Sequence, residues 1–118
     1  MSYRIAAASS DGKVVNQHFG RATKFLIFEV IKGQFKFLEL RETQPFCVEY
    51  SHDEDRLKSA AEALSDCRAV VVAKIGNGAV QALRSKGVEA FDNTDLVNES
   101  IKKIIKYYER IDNKSISI

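Results

Sequence analysis

One run, Ala69-Val70-Val71-Val72-Ala73, is apolar at every position and contains three β-branched residues in succession. Short apolar runs without polar alternation are typical of strands that are covered on both faces of a sheet. The run therefore predicts a central, buried strand. Because helices must cover both faces of such a sheet, the pattern indicates an α/β fold.

The sequence on either side of this run supplies the other elements. A hairpin turn at Lys32-Gly33 separates two apolar stretches, and apolar residues at helical spacing follow in three later segments. The predicted strands cover residues 3–8, 25–31, 34–41, 69–73 and 88–91, and the predicted helices carry the apolar positions of 57–64, 80–83 and 97–108. This pattern predicts a mixed five-stranded sheet with helices on its faces, in the order β-β-β-α-β-α-β-α.

Length and composition limit the class of protein. The chain has 118 residues, 45% of them hydrophobic and 29% charged, which is typical of one globular domain. We expect a single domain over residues 1–111 and a frayed polar tail over 112–118. The sequence shows neither a secretory signal nor an apolar run long enough to span a bilayer. A net charge of +2 does not require a nucleic-acid partner. Together these features lead us to expect a cytoplasmic protein that binds neither membrane nor nucleic acid.

Two loops are candidates for a functional site. Open α/β sheets bind ligands beyond the carboxyl ends of their strands. Residues 9–20 follow the first predicted strand, and residues 74–78 follow the central one. If these two strands are neighbours, their loops share one rim of the sheet.

The first loop combines a histidine with basic residues. His18 lies beside a glycine, and neutral imidazole is a good ligand for iron or zinc. Lys13, Arg21 and Lys24 are close in sequence and would attract an anion. The pattern is also compatible with a loop histidine that is hydrogen-bonded to backbone, so the residues alone leave both interpretations open.

The second loop contains Gly76-Asn77-Gly78 before a predicted helix. Backbone amides at the amino end of a helix bind anions. The alternative interpretation is structural, with Asn77 as the N-cap residue of that helix. The segment matches neither a dinucleotide-binding fingerprint nor a P-loop.

The two cysteines differ in their surroundings. Cys67 lies between an amphipathic segment and the central strand, and we predict a small buried hydrophobe there. Cys47 lies in a loop and is a candidate metal ligand or redox-active thiol. The sequence has no CxxC or HxxxH pair, which argues against a closed structural zinc site. A nucleophile pair of Cys47 with His18 or His52 stays open, although nothing marks an oxyanion hole for it.

Several of these residues belong to one recognisable sequence pattern. The first part is Ser9-Ser10-Asp11-Gly12, followed by Val15-Asn16-Gln17-His18-Phe19-Gly20 and then Phe25, Ile27 and Glu29-Val30. The second part is Cys47, His52-Asp53-Glu54, Leu64-Ser65-Asp66-Cys67, Ile75-Gly76 and Gly87-Val88. The pattern covers about residues 3–110 and resembles the dinitrogenase iron–molybdenum cofactor biosynthesis domain family. That family includes NifX, NafY and the C-terminal domain of NifB, and this chain is similar to its stand-alone, NifX-like members.

The resemblance implies a ribonuclease-H-like fold and a carrier function. Such domains bind iron–sulfur precursors of the nitrogenase cofactor, or the cofactor itself, and pass them between assembly proteins without catalysing a reaction. The family histidine corresponds to His18, and family cysteine positions correspond to Cys47 and Cys67. On this basis the expected site has His18 as a direct ligand, Cys47 as a candidate second ligand, and electrostatic support from Arg21, Lys24 and the amides of Gly76, Asn77 and Gly78.

Two other functions stay open at this point. One is a small hydrolase on the same fold that uses Cys47 with a histidine, for which turnover abolished by Cys47→Ala would be diagnostic. The other is a protein-interaction module that binds no cluster. The exposed hairpin edge near Phe35 and Phe37 is a candidate for pairing between chains.

Overall fold

The predicted central strand is present as β6 (Ala69–Val72), and all four of its residues are buried. The computed structural model describes residues 2–43, 47–48, 51–52 and 54–116, with the backbone alone described for 47–48, 51–52, 54 and 113–116. Strand β6 pairs in parallel with β1 (Ser2–Ala8) on one side and with β7 (Glu89–Asp92) on the other. Since both edges and both faces are covered, no polar residue interrupts its sequence.

The hairpin predicted at Lys32-Gly33 extends the sheet on the other side of β1. Strand β2 (Lys24–Ile31) is antiparallel to β1, and β3 (Gln34–Glu42) is antiparallel to β2. Lys32 and Gly33 have φ values of 52° and 77°, as a two-residue turn between twisted strands requires. The main sheet has the order β3-β2-β1-β6-β7, which confirms the predicted mixed sheet of five strands.

Three helices cover the two faces of this sheet, as predicted. Helices α1 (Glu54–Ala63) and α2 (Asn77–Arg84) contribute buried residues to one core, and α3 (Val97–Ile116) contributes to the other. Side chains of β1 and β6 alternate between these two cores, so residues 5–8 of β1 and all four residues of β6 are buried. Within the described part of the chain, no helix has both the length and the apolar character needed to cross a bilayer.

The chain also contains elements that the predicted order lacks. Strands β4 (Cys47–Val48) and β5 (Ser51–His52) form a separate two-stranded hairpin between β3 and α1, and Phe19–Arg21 form a turn of 3₁₀ helix. The order β-β-β-α-β-α-β-α is therefore incomplete. Each strand of the hairpin has only two residues, which is too short to produce an alternating pattern in the sequence.

The last helix continues beyond the boundary predicted at residue 111, because a tertiary ion pair holds it. Asp112 accepts two hydrogen bonds from the Arg68 guanidinium, with N–O distances of 2.8 and 3.0 Å. The same guanidinium lies over the Tyr108 ring, 3.7 Å from its centroid, and 5.1 Å from the ring centroid of Tyr3. Residues 112–116 of the predicted tail thus belong to helix α3.

A second group of charges holds the edge strand β3 to the segment after α1. The Arg41 guanidinium donates one hydrogen bond to each carboxylate oxygen of Asp66, both at 2.6 Å, and another to the carbonyl of Ala63 at 2.7 Å. Arg4 on β1 also donates to Asp66, at 2.6 Å. The hydrogen bonds from Arg41 lower the pKa of Asp66 well below its usual range, against the opposing effect of partial burial.

This pairing predicts a pH-dependent contribution to stability. Since folding lowers the pKa of Asp66, its contribution is present above the unfolded-state value of about 4 and is lost as the pH falls through the folded-state value. The Asp66 side chain is 41% exposed, so we expect Asp66→Asn to cost only about 1 kcal/mol at neutral pH. Urea unfolding at a series of pH values should show the difference from wild type shrinking below about pH 4.

Arg41→Lys is the matched control, because it keeps the charge and loses the two parallel hydrogen bonds. It should retain part of the pH dependence. A difference between Asp66→Asn and wild type that stays constant down to pH 2 would contradict this interpretation of the pair.

Candidate functional site

The two loops predicted to share a rim are hydrogen-bonded to each other. Because β1 and β6 run in parallel, their carboxyl ends meet at one edge of the sheet. After β1 the chain forms a loop and then returns alongside the residues that follow β6. The Ala73 N–H donates to the Gln17 carbonyl, and the Phe19 N–H donates to the Lys74 carbonyl, both at 2.9 Å. His18 therefore forms a parallel bridge with Lys74.

This backbone pairing fixes His18 but leaves it exposed. The next residue, Phe19, is buried and packs edge-on against Phe25, with 6.0 Å between the ring centroids. The Arg21 N–H then donates to the His18 carbonyl at 3.0 Å and closes the 3₁₀ turn. An exposed histidine is thus held between a paired backbone and a buried aromatic anchor.

The loop before His18 is held by its own side chains. The Asp11 carboxylate accepts from the N–H groups of Lys13, at 2.9 Å, and Val14, at 3.2 Å. These hydrogen bonds lower the pKa of Asp11 below its usual value. Asn16 makes two hydrogen bonds to Ser10, one with its amide oxygen and one with its amide nitrogen, both at 3.0 Å. These polar residues of the recognised pattern therefore stabilise the loop.

Three exposed basic residues lie along the same rim. Arg21 ends the 3₁₀ turn, and Lys24 begins β2, which starts where the antiparallel β1 ends. Lys74 is the bridge partner of His18. Sequence reasoning used the segment from residue 74 only for its backbone amides and missed Lys74 as a charged neighbour of His18. Its position two residues after the central strand was the available signal.

The amino end of α2 is the next feature of the rim. Gly76 is its N-cap residue, with φ −86° and ψ 161°, and no side chain caps the helix there. The predicted N-cap, Asn77, is instead the first helical residue, because the extended backbone ends one position earlier. A Cβ atom added at Gly76 or at Gly78 would meet nothing within 4 Å, so the backbone here is open to solvent. The unpaired amides of this first turn are suited to an anion.

The two cysteines lie in different places. Cys67 is 3% exposed and lies in the core beneath α1 and α2, where burial raises the pKa of its thiol to about 12. The prediction of a small buried hydrophobe is confirmed. Cys47 begins β4, whose Cα atoms approach within 8 Å of those in the 3₁₀ turn, and its register partner in β5 is His52. The side chains of Cys47 and His52 lie outside the described residues.

No ready-made metal centre accompanies these features in the described side chains. Among them, no three histidine, cysteine, aspartate or glutamate side chains converge into a group that could hold an ion. The groups that the structure does bring together are not a set of converging metal ligands. It consists of one exposed imidazole on a fixed backbone, basic side chains along the rim and an uncapped helix end.

The sequence pattern of one protein family matches this chain over residues 1–109. That family is described as dinitrogenase iron-molybdenum cofactor. Since the match extends over nearly the whole chain, the chain belongs to this family. The resemblance inferred from the sequence is therefore confirmed.

Relatives with known names agree with this membership. The FeMo cofactor biosynthesis protein NifB of Frankia alni is 35% identical over 103 residues, which are 85% of this chain and 20% of that protein. Protein NifY of Azotobacter vinelandii is 37% identical over 87 residues, which are 74% of this chain and 34% of that protein. The chain thus spans only about a fifth to a third of the length of these relatives.

A solved structure supports the fold. The NMR structure of a Thermotoga protein that carries the NifB name has a TM-score of 0.60 at 19% identity and covers 88% of each chain. At this level of identity, the similarity concerns the mixed α/β architecture alone.

The uncapped helix generates a prediction about stability. In Gly76→Ser, the new hydroxyl can accept hydrogen bonds from amides of the first turn, since the backbone is already extended and the space is open. We expect the free energy of unfolding to rise by a few tenths of a kcal/mol, measured by urea denaturation. Gly76→Ala is the matched control, because it adds a side-chain atom at the same position without a hydroxyl that could accept from the amides. An equal gain in both variants would contradict an uncapped amino end.

Proposed function

We propose that this protein carries an iron–sulfur precursor of the nitrogenase iron–molybdenum cofactor, or a related metal cluster, and passes it between assembly proteins in the cytoplasm. On this proposal the protein binds its cargo transiently and does not catalyse a reaction. The observation that carries the proposal is the exposed His18 on a backbone fixed by Lys74, beside the uncapped end of α2. The names of the NifB and NifY relatives supply the class of cargo.

His18 is proposed as the direct ligand. A neutral imidazole nitrogen suits iron, and the residue is exposed, so a cluster can reach it from solvent. Its backbone pairing means that little conformational freedom has to be lost when cargo binds. Cys47 is proposed as the second ligand, supported by the approach of β4 to the 3₁₀ turn.

The rim also supplies positive potential for an anionic cluster. Arg21 and Lys24 are exposed there, and Lys74 joins them as the neighbour of His18. The second contribution comes from the first-turn amides of α2 at Gly76, Asn77 and Gly78, which carry the positive end of the helix dipole. These groups attract the cargo electrostatically and form no coordination bonds to the metal that would have to break on release.

A carrier must hold its cargo firmly and still release it. A closed shell of four protein ligands would resist transfer, because an acceptor could not approach the metal. One or two ligands on an open rim leave the remaining metal positions available to an acceptor protein. The buried Cys67 is not available as a ligand on an exposed rim, so the proposed protein ligands are His18 and Cys47.

We also propose that the fold is ribonuclease-H-like. A ribonuclease-H-like fold is supported by the order β3-β2-β1-β6-β7, with β2 as the antiparallel member next to β1 and helices on both faces. We infer that residues 1–111 act as one cofactor-carrying unit, and the family match over 1–109 supports that boundary.

The hydrolase alternative gains one observation from the structure. Cys47 and His52 are register partners in the β4–β5 hairpin, so their backbones lie side by side. The family membership favours the carrier, because the similar proteins are named for cofactor biosynthesis. A protein-interaction module without cargo is the third possibility, and the titration described next separates it from the carrier.

Loss of binding in His18→Ala is the central prediction. We expect the wild-type protein to bind an isolated iron–sulfur cofactor precursor stoichiometrically under anaerobic conditions. His18→Ala should lose most of the iron, because the metal loses its imidazole ligand. The measurement is a titration followed by gel filtration, with absorbance and iron content determined on the protein fraction.

His52→Ala is the control, because the chain has only two histidines. It should retain iron close to the wild-type level. Iron lost in His52→Ala and kept in His18→Ala would move the ligand to the β4–β5 hairpin. A wild-type protein that retains no iron would contradict the carrier function itself and favour an interaction module or an enzyme.

The basic rim predicts that affinity depends on ionic strength. Binding of the same precursor should weaken as salt is raised, because exposed charges are screened within about 10 Å at 0.1 M salt. Lys24→Gln and Lys74→Gln should each weaken binding several-fold at low salt and reduce the salt dependence. Lys106→Gln on α3 is the matched control, since it lies beside Gly33 at the opposite end of the sheet. Affinity that is independent of salt would contradict this electrostatic role.

A further inference from the structure

The outer edge of β3 offers the longest unpaired row of backbone groups in the described part of the chain. Strand β3 (Gln34–Glu42) pairs with β2 on one side only and is an edge strand of the main sheet. The other edge strand, β7, has only four residues. Long edge strands are sites where another strand can add to a sheet, because their outward N–H and C=O groups lack partners.

This edge is apolar as well as long. Phe37 is 54% exposed, Leu38 37% and Leu40 48%, although all three lie in a β-strand of the main sheet. The strand has no proline, and charged residues stand between its apolar ones, at Lys36, Glu39, Arg41 and Glu42. Here the exposed apolar side chains are consecutive or nearly so, which marks the strand as an interaction surface.

A β-bulge gives β3 a self-complementary pattern. The register with β2 shifts between Ile27 and Phe28, so that Glu39 lies opposite Ile27 while Phe37 lies opposite Phe28. Because the bulge inserts one extra residue in β3, the side chains after it lie on the opposite sheet face from the one that strict alternation would give. As a result Lys36 and Glu39 lie on the sheet face of α1 and α2, whereas Phe35 and Leu40 lie on the face of α3. The partners on β2 establish these faces, because directly opposed residues share a face. Lys36 lies opposite Glu29, Glu39 opposite Ile27, Phe35 opposite Val30 and Leu40 opposite Leu26.

We propose that β3 pairs with β3 of a second copy of this chain, in antiparallel orientation, about a two-fold axis between Phe37 and Leu38. This axis sets Lys36 of each copy opposite Glu39 of the other on one face. On the other face it sets Phe35 opposite Leu40. Both pairs join residues of the same face, as directly opposed residues of an antiparallel pair must be.

The charges that this pairing uses are available. Lys36 contacts Glu29 at 3.8 Å and keeps most of its side chain in solvent. Glu39 contacts Arg41 through Oε1, at 2.6 Å, which leaves Oε2 for the second copy. Each dimer contains two such Lys36–Glu39 pairs by symmetry, and it also covers the exposed Phe37, Leu38 and Leu40.

The paired sheet has ten strands and keeps both candidate cofactor sites open. Antiparallel pairing of the two β3 strands reverses the direction of β1 in the second copy. The two His18 rims therefore lie at opposite ends of the continuous sheet, away from the new contact. The pairing is thus independent of the proposed function, and either proposal can fail without the other.

Charge reversal provides a direct test of this pairing. Sedimentation velocity across a dilution series should show a monomer–dimer equilibrium for the wild-type protein. Lys36→Glu and Glu39→Lys should each weaken dimerisation about tenfold, because two opposed pairs become like-charged. An equimolar mixture of the two variants should recover dimers, since every opposed pair in the mixed dimer is again of opposite charge. Circular dichroism of each variant reports that it is folded.

The mixture identifies this surface and excludes other ones. Recovery in the mixture requires Lys36 and Glu39 to face each other between chains, which a dimer through another surface would not produce. A wild-type protein that stays monomeric at every concentration overturns the proposal and leaves the edge to a different partner. Dimers that persist unchanged in both variants, or a mixture that does not recover, overturn it as well.

Discussion

The parallel pairing of β1 with β6 is the interaction on which the rest of the structure depends. It places Ile5, Ala6 and Ala7 beside the central apolar strand and so defines both cores. It also brings two strand ends to one edge, where the chain resumes the same pairing at Gln17–Phe19 after the intervening loop. The fold and the candidate site are therefore consequences of one register. A shift of this register by one residue would displace His18 and exchange the two cores.

The elements that the sequence predicts correctly are those whose causes are local. Three successive valines produce a buried strand, Lys32-Gly33 produces a two-residue turn, and the apolar stripe of α3 follows helical spacing. Elements with distant causes were missed. The end of α3 depends on the pair between Arg68 and Asp112, residues 44 positions apart, and the β4–β5 hairpin has too few residues to leave a pattern.

The same division applies to the candidate site. Placing two loops at one rim requires only a general property of parallel strands, so sequence could predict it. The pairing of His18 with Lys74 depends on the register of segments far apart in the chain, so the sequence did not reveal it. The N-cap of α2 shows that a prediction from local sequence can also be wrong by one residue. Asparagine is a favoured N-cap residue, yet the backbone turns helical one position earlier, and Gly76 occupies the cap without a side chain.

An open rim and a fixed backbone are compatible because different atoms provide them. Backbone hydrogen bonds and the buried Phe19 hold the His18 segment in place, whereas the imidazole, the basic side chains and the first-turn amides of α2 face solvent. On the proposed function, a rigid backbone would lower the entropy that is lost on binding, and exposed ligands would keep the cargo within reach of another protein. A buried site would gain affinity but prevent that access. Gly76 and Gly78 add no side-chain atoms at this end of α2, so on the proposed function its amides stay open to an anionic cargo.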